Sequence, residues 1–405
     1  MRIAVIGDMH LGFDHHGLRK NDSFINAREA FDIAISEKVD LIIQTGDVFH
    51  ERLPKPEVIS PAIKLFNSLK KKINTPKLVT EVINKQETLL TQEIPPVILI
   101  YGNHEKRPPG YVNPLHVLHN AGSVHLLEKD SVVIEAGKER IGIHGLSNVS
   151  ELFAKETVKE WNPKAFPNMK NLFLIHQNFQ ELIPHQPPET LSYKDLPTNM
   201  DYHILGHIHW AQSDKHPSTK APVVLPGSTV MTEMKRIESK SKKGILILDI
   251  KENISSKFVE LKKSRILHYE VIEIKGDKPS EITAKIQEDI IKKIEYHTHE
   301  LFPLIRYSLR GELAQGFIPS DVSFRALTKK YQEKAIIKID KSKLTSKEVG
   351  EKAKLISDLK QNKISIESLG VKILAKEMKI KDTAKLNDLF TALSQGDLEI
   401  AENLL

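Results

Sequence analysis

The chain contains no cysteine in 405 residues. That absence excludes disulfide staples, zinc–thiolate sites, iron–sulfur clusters and cysteine nucleophiles, and it is compatible with a reducing cytoplasm. No apolar run approaches the roughly 18 residues that would cross a bilayer. The first such run, Ile3 to Ile6, stops before Asp8 and is too brief for a secretory signal core. A strong excess of one charge is missing too. The 59 basic and 53 acidic residues leave a net +6, which permits a polyanionic partner without demanding one.

What is present is a soluble, core-forming composition, 40% hydrophobic and 28% charged, in a chain long enough for two or three domains. Histidine is unevenly spread: of the 18, 15 lie at or before His216. Histidine is the commonest metal ligand and the usual acid or base near neutral pH. Interleaved with Asp and Asn and without cysteine, such a cluster points to a hard or borderline cation such as Mn²⁺, Mg²⁺, Fe²⁺ or Zn²⁺.

The first 250 residues alternate short apolar runs with helical patterns, which predicts an α/β domain. Strands are expected over Arg2–Ile6, Leu41–Thr45, Val97–Tyr101, Arg140–His144, Asn171–Ile175, Tyr202–Leu205 and Gly244–Ile250. Helices are expected over Asp22–Lys38 and Pro56–Lys72, each with an apolar stripe. Residues 73–95 are polar and end in Pro95–Pro96, and read as an insertion or long surface loop. A smaller βαβαβ unit follows: strands Ile266–Ile274, Leu304–Leu309 and Ala335–Ile339, with helices Ser280–Glu295 and Ser320–Lys334 between them. After Lys341 the chain is Lys-rich, with seven lysines in Lys341–Lys363, and reads as a linker that includes an exposed-helix candidate at Lys347–Leu359. Amphipathic helices are expected over Ile364–Met378 and Thr383–Leu393, with a third candidate at Asp397–Leu405. Their apolar residues are too few for an independent core.

Five polar clusters follow five of the expected strands: Gly7-Asp8-Met9-His10, Gly46-Asp47-Val48-Phe49-His50, Gly102-Asn103-His104-Glu105, His176-Gln177-Asn178 and Gly206-His207-Ile208-His209. The carboxyl ends of strands in α/β sheets border the crevice where ligands bind, so the clusters can converge while far apart in sequence. A lone Gly-Asp at a strand end is usually only a turn, and a lone histidine beside a strand is usually a hydrogen-bonded core residue. Five clusters in order are a different matter. Their two Asp, Asn103 and up to six His exceed the needs of one metal and suit two cations sharing a carboxylate. Two cations about 3.5–4 Å apart serve in-line displacement at phosphorus.

The ordered set resembles the calcineurin-like metallophosphoesterase signature. Asp8-Met-His-Leu-Gly, Gly46-Asp-Val-Phe-His, His176-Gln-Asn and Pro226-Gly-Ser look like the Mre/SbcD-type nucleases that process DNA double-strand breaks. The resemblance is specific over residues 1–250, architectural over 266–340 and weak after 341. It implies a two-sheet β-sandwich flanked by helices over 1–265, a smaller α+β capping domain over 266–340 that shapes DNA access, a linker over 341–363 and a helical module over 364–405. It further implies two Mn²⁺ (or Mg²⁺ or other divalent) ions. Asp8, His10 and His209 would hold one, Asn103, His176 and His207 the other, and Asp47 would bridge them. His50 and His104 would be catalytic groups at the phosphate, and Glu105, where the family commonly has Asp, would orient His104.

The same resemblance implies a Mn-dependent DNA exo- and endonuclease that works on break ends with a Rad/SbcC-type coiled-coil ATPase docked by the C-terminal helices. It implies a homodimer formed through Pro56–Lys72 and Tyr111–Asn120, with Ile63, Phe66, Leu115 and Leu118 as their apolar residues, and a nucleoid-associated cytoplasmic location without membrane contact. Arg19, Lys20, Arg52, Lys55, Lys106 and Arg107 follow the metal motifs and are the candidate DNA-phosphate contacts, with His15 and His16 nearby. The basic run Lys235, Arg236, Lys240, Lys242 and Lys243 reads as a second candidate or a solvated turn. The alternatives are a phosphodiesterase or phosphatase for small nucleotides or proteins, and a non-catalytic scaffold that tethers DNA ends. His50, the capping domain and the tail favour the nuclease.

Overall fold

The computed structural model describes residues 1–346 except 109 and 184, together with 371, 375, 383–397, 400, 402 and 403. The chain divides into two compact units. One comprises 1–269, 293–306 and 331–337; the other comprises 270–292, 307–330 and 338–405.

The first unit is a sandwich of two sheets. In the six-stranded sheet, β1 (Arg2–Ile6), β2 (Leu41–Gln44), β5 (Val97–Ile100) and β6 (His125–Leu127) run parallel, and β13 (Gly244–Ile250) and β14 (Ile254–Glu260) extend it antiparallel beyond β1. The eight-stranded sheet has the order β11 (Gln212–Lys215), β12 (Pro222–Leu225), β10 (Tyr202–Gly206), β9 (Lys170–His176), β8 (Glu139–Leu146), β7 (Lys129–Ala136), β3 (Lys77–Ile83), β4 (Gln86–Glu93). Strands β8, β9, β10 and β12 are parallel within it.

The strands that read as continuous apolar runs are buried on both faces, which is why they do not alternate with polar residues. Ile3, Val5, Leu41, Ile43, Ile98 and Ile100 meet Leu172, Leu174, Tyr202, Ile204 and Val224 between the sheets. Their neighbours Ala4, Ile6, Ile42, Val97 and Leu99 face the other way, against helices α1 (Asp22–Ser36), α2 (Pro56–Asn67) and α3 (Pro114–Asn120). The outer face of the eight-stranded sheet places Phe173, Ile175 and Leu205 against Ala154 and Val158 of α4 (Glu151–Trp161). Proline opens both α2 and α3, where its missing N–H costs nothing, and the Asn113 side chain caps α3 by accepting from Leu115 N at 2.8 Å.

Two expectations are corrected here. Residues 73–95 are not a loop: β3 and β4 form a hairpin that extends the eight-stranded sheet through β7. Its turn is Asn84-Lys85, both with positive φ, as a two-residue hairpin demands. The polar composition arises because β4 is an exposed edge strand, where apolar residues would invite aggregation. Second, Phe66, Leu115 and Leu118 lie in the chain's own core and Ile63 packs against it, so they do not offer a dimer face. The exposed apolar residues around α3 are Tyr111, Val112 and Val117.

Beyond the sandwich come β15 (Leu267–Asp277), α5 (Pro279–Glu295), β16 (Leu304–Leu313), α6 (Arg325–Tyr331) and β17 (Ile336–Thr345), the expected βαβαβ order, with β16 central in a three-stranded sheet. Helix α5 buries Ile282, Ile286 and Ile290, four residues apart along one face. The helix expected over Ser320–Lys334 is shorter, because a 3-10 turn occupies Pro319–Asp321 and only α6 is α-helical. The last strand, expected over Ala335–Ile339, runs on to Thr345. In the C-terminal segment α7 (Thr383–Gln395) matches its prediction, while the candidates Lys347–Leu359 and most of Ile364–Met378 and Asp397–Leu405 lie outside the described residues. Among the described residues no helix is long and apolar enough to cross a membrane.

Candidate metal centre

All five polar clusters sit where a parallel strand ends. β1, β2 and β5, neighbours in the six-stranded sheet, deliver Asp8 and His10, Asp47 and His50, and Asn103 and His104. β9 and β10, neighbours in the eight-stranded sheet, deliver His176, His207 and His209. The two groups meet across the sandwich.

The backbone must bend sharply for this. His10, Asp47 and His207 have φ of +45°, +50° and +80°, a region that non-glycine residues rarely occupy. Such strain costs on the order of 1–3 kcal/mol per residue and persists only where the surroundings dictate it. They do: the Asp47 carbonyl accepts from Met9 N at 3.0 Å and His10 N at 2.9 Å, and the Asp47 carboxylate accepts from His104 N at 3.0 Å. Glycine is required where the loops touch. A Cβ on Gly102 would lie 2.0 Å from Asp47 Oδ1, and one on Gly7 would lie 1.8 Å from the Gly227 carbonyl oxygen.

Two donor groups result. Asp8, His10 and His209 bring one ligand atom each within 4.8 Å of one another, and Asp47, His176 and His207 do the same. Asn103 Oδ1 joins the second group, 3.2 Å from His176 Nε2 and 2.8 Å from His207 Nδ1. Second contacts fix the rings: His176 Nδ1 donates to the Thr45 carbonyl at 2.7 Å, and His209 Nδ1 bonds Thr232 Oγ1 at 2.9 Å, so both present Nε2 to the cleft. His10, His50 and His104 form a third close group, which shares His10 with the first.

The electrostatics are those of a cation site. Burial pushes the Asp8 carboxyl up to about 7, with His176 and Asp47 pulling in opposite directions. Burial would raise Asp47 as well, but the His176 imidazole beside it draws it far below the carboxylate range. Burial opposes charge on His176, yet Asp47 and Asp8 carry it up to about 10. Burial lowers His207 to about 4 and His209 to about 3, and takes His10 well below its ordinary value, so these imidazoles are neutral lone-pair donors. Asp8 Oδ2 is buried without a hydrogen-bond partner, and His10 Nε2 faces His209 Nε2 at 3.1 Å. An orphaned carboxylate oxygen and two opposed imidazole nitrogens are poorly satisfied by one another and well satisfied by a divalent cation. The donor set fits the metals its sequence implies.

His104 stands at the edge of this cluster. Its Nδ1–H donates to the His50 carbonyl at 2.5 Å, which leaves Nε2 for the cleft, and the two rings lie 5.2 Å apart. Glu105 does not orient it, contrary to expectation. The Glu105 carboxyl accepts from Asp47 N at 3.2 Å, Phe49 N at 2.7 Å and Gly102 N at 2.9 Å, and so binds the loop after β2 to the loop after β5. Burial, reinforced by Asp47, pushes this carboxyl up to about 8.

The basic candidates separate. Lys20, Arg52 and Lys55 are exposed, with Lys55 Nζ 2.8 Å from His16 Nε2; Lys106 and Arg107 are half-buried, and Arg107 lies over the Tyr111 ring. Arg19 is a correction. It is buried, its Nε donates to Asp22 at 3.0 Å and its Nη2 to the Met231 carbonyl, so its guanidinium faces the interior instead of a phosphate. Lys243 is another: it is 2% exposed and paired with Glu238, not part of a solvated turn. The sequence reading also missed Thr45, Thr232 and Asn26, whose contacts are made by residues distant in the chain and leave no local pattern.

The pattern of the calcineurin-like phosphoesterase family matches residues 1–211, just over half of the chain. The chain is similar to the DNA double-strand break repair protein Mre11 of Sulfolobus acidocaldarius, 26% identical over 317 residues that cover 77% of this chain and 75% of that protein. With the Mre11 of Saccharolobus solfataricus it shares 25% identity over 322 residues, 77% of this chain and 76% of the relative. With the double-strand break repair protein MRE11 of Mus musculus it shares 28% over 283 residues, 62% of this chain but 39% of the mouse protein.

Proposed function

We propose that this chain, which belongs to the calcineurin-like phosphoesterase family, is a Mn²⁺-dependent nuclease that hydrolyses phosphodiester bonds at DNA double-strand-break ends. The observation that carries the reading is the convergence of two donor groups from two sheets on one cleft, with Asp47 and Asn103 among them and His104 at its edge. The similarity to proteins named for double-strand break repair supports DNA as the substrate.

In this reading Asp8, His10 and His209 would hold one divalent cation, Asn103, His176 and His207 would hold the other, and Asp47 would serve both. Such a pair would supply a solvent nucleophile at neutral pH and neutralise charge on the phosphate. The chain's own groups do the rest. His104, with Nδ1–H fixed by the His50 carbonyl, presents Nε2 and protonates the leaving 3′ oxygen. His50 stabilises the developing charge from the same side. Lys20, Arg52, Lys55, Lys106 and Arg107 contact the DNA backbone, which makes binding salt-dependent. Exonuclease and endonuclease activity, a capping role for 266–340, self-association through the exposed Tyr111, Val112 and Val117, and docking of 364–405 on a Rad/SbcC-type ATPase in the nucleoid belong to the same proposal.

The test is incubation of the full chain with labelled duplex DNA and Mn²⁺, beside a small-molecule phosphodiester and the His104→Ala variant. Cleavage of DNA that His104→Ala loses is the expected result. Turnover of the small diester alone overturns the nuclease reading in favour of a general phosphodiesterase. DNA bridging without cleavage overturns it in favour of a scaffold.

A further inference from the structure

We propose that Lys243 is a positioning residue that sets the affinity of the cation site built from Asp8, His10 and His209; the inference rests on the two-cation reading above. Lys243 directly precedes β13 of the six-stranded sheet, whereas His209 follows β10 of the eight-stranded sheet. Its ammonium donates to the His209 carbonyl at 2.7 Å, to Ser228 Oγ at 2.8 Å and to Glu238 Oε1 at 2.9 Å. All three of its protons are thereby engaged.

These contacts anchor a loop, residues 226–232, that holds both ends of the donor group. Thr229 N donates to the Asp8 carbonyl at 2.9 Å, and Thr232 Oγ1 bonds His209 Nδ1 at 2.9 Å. The loop is fixed as well by Asn26 of α1, whose Nδ2 donates to the Thr229 carbonyl at 2.8 Å, and by Arg19, just before α1, on the Met231 carbonyl. The close approach of Gly7 to Gly227 presses the same loop onto the Asp8 turn. No residue of this loop holds His176 or Asp47 in the same way: His176 Nδ1 donates to the Thr45 carbonyl, the Asp47 amide donates to Glu105 Oε2 and the Asp47 carboxylate accepts from His104 N. A buried ion pair is seldom worth more to stability than apolar side chains of the same volume. The geometry gives this pair a different use, since it sets where the His209 imidazole and the Asp8 carboxylate stand relative to each other.

The experiment is calorimetric titration of the metal-free, full-length chain with Mn²⁺. The wild type shows two binding steps, and His209→Ala and His207→Ala identify which step belongs to which donor group. Lys243→Met weakens the step that His209→Ala affects by 10–100-fold and leaves the other unchanged. The double variant Glu238→Gln/Lys243→Met removes both buried charges; it melts close to the wild type without metal and still binds the same cation weakly. A double variant with two wild-type affinities makes the pair a simple brace and overturns the inference. A Lys243→Met effect equal on both steps overturns it too. A wild type that fails to bind two Mn²⁺ overturns the reading of the site itself, and this inference with it.

Discussion

The two sheets of the sandwich give the cleft different chemistry. The six-stranded sheet supplies every oxygen donor, Asp8, Asp47 and Asn103, together with the imidazoles of His10, His50 and His104. From the eight-stranded sheet come nitrogen donors alone, His176, His207 and His209. Neither group that contains a carboxylate is complete within one sheet: Asp8 and His10 need His209 from across the sandwich, and Asp47 needs His176 and His207. The site is therefore a property of the interface between the sheets. Whatever fixes their register fixes the distance between carboxylate and imidazole, and a packing shift of an ångström is felt as chemistry.

The largest loss is expected at Asp47, the carboxylate proposed to serve both cations. Asp47→Ala removes the six-stranded sheet's link to His176, and it also deprives His104 N of its acceptor. Loss of both cations and a fall in DNA cleavage of at least about 10³-fold are expected, or about 4 kcal/mol of transition-state stabilisation. Metal analysis after dialysis, with cleavage assayed in parallel, checks it; retention of two Mn²⁺ by the variant would refute the sharing.

His104→Ala comes next and separates binding from chemistry within one sheet. His104 presents Nε2 to the cleft and is in neither donor group that contains a carboxylate. Two Mn²⁺ should remain bound while cleavage falls about 10²- to 10⁴-fold, the usual range for a positioned acid. Metal loss in this variant would move His104 among the ligands.

Much of this arrangement is legible in the amino-acid order, for a specific reason. Strands buried on both faces have to be apolar throughout, and turns that pass close to one another have to contain glycine, so Gly-Asp and Gly-Asn-His after an Ile/Val/Leu run state their position locally. Long-range burial states nothing locally. Lys243 lies in Lys240-Ser-Lys-Lys, which reads as solvent-facing, and only the fold brings Glu238, Ser228 and His209 around it. Arg19 was lost to the same blindness, because Asp22 and Met231 turn it inward. The β3–β4 hairpin was hidden for the opposite reason: an exposed edge carries too few apolar residues to show a strand's period. The left-handed backbone at His10, Asp47 and His207 follows from tertiary hydrogen bonds that no composition reveals.

Glu105 ties two loops of the six-stranded sheet through three hydrogen bonds. Glu105→Ala leaves the N–H groups of Asp47, Phe49 and Gly102 buried without their acceptor, at a cost on the order of 3 kcal/mol. The carrier of the defect is the loop after β2, so the affinity of the Asp47 group should fall more than that of the Asp8 group. Glu105→Gln keeps one oxygen and should recover part of the loss. Urea melts of the metal-free chain and Mn²⁺ titrations of both variants test this; equal stability of wild type and Glu105→Ala would show that water replaces the carboxyl.

The smallest effect at neutral pH, and the one that addresses the sheets as wholes, comes from acid. The eight-stranded sheet buries His144 in β8 and His203 in β10, and burial lowers each to about 4. His144 Nε2 lies 3.0 Å from Asn171 Oδ1 and His203 Nε2 donates to the Pro197 carbonyl at 2.9 Å, contacts that soften the burial penalty without removing it. The six-stranded sheet has His125 in its edge strand β6, also lowered to about 4 by burial. A histidine whose folded pKa lies below its unfolded value of about 6.5 binds its proton more readily once the chain opens. Stability is then unaffected above pH 7, falls as pH drops through 6.5, and stops falling below about 4. Each such group accounts for on the order of 3 kcal/mol over that window. The loss concentrates where the strands carry these rings, so amide exchange of the metal-free chain at pH 4.5 should accelerate in β8 and β10 before β2, which carries no histidine. His144→Gln should flatten the pH dependence of the melting temperature by one histidine's share. Uniform acceleration in both sheets would mean that the sandwich opens as one cooperative body, with no weaker half.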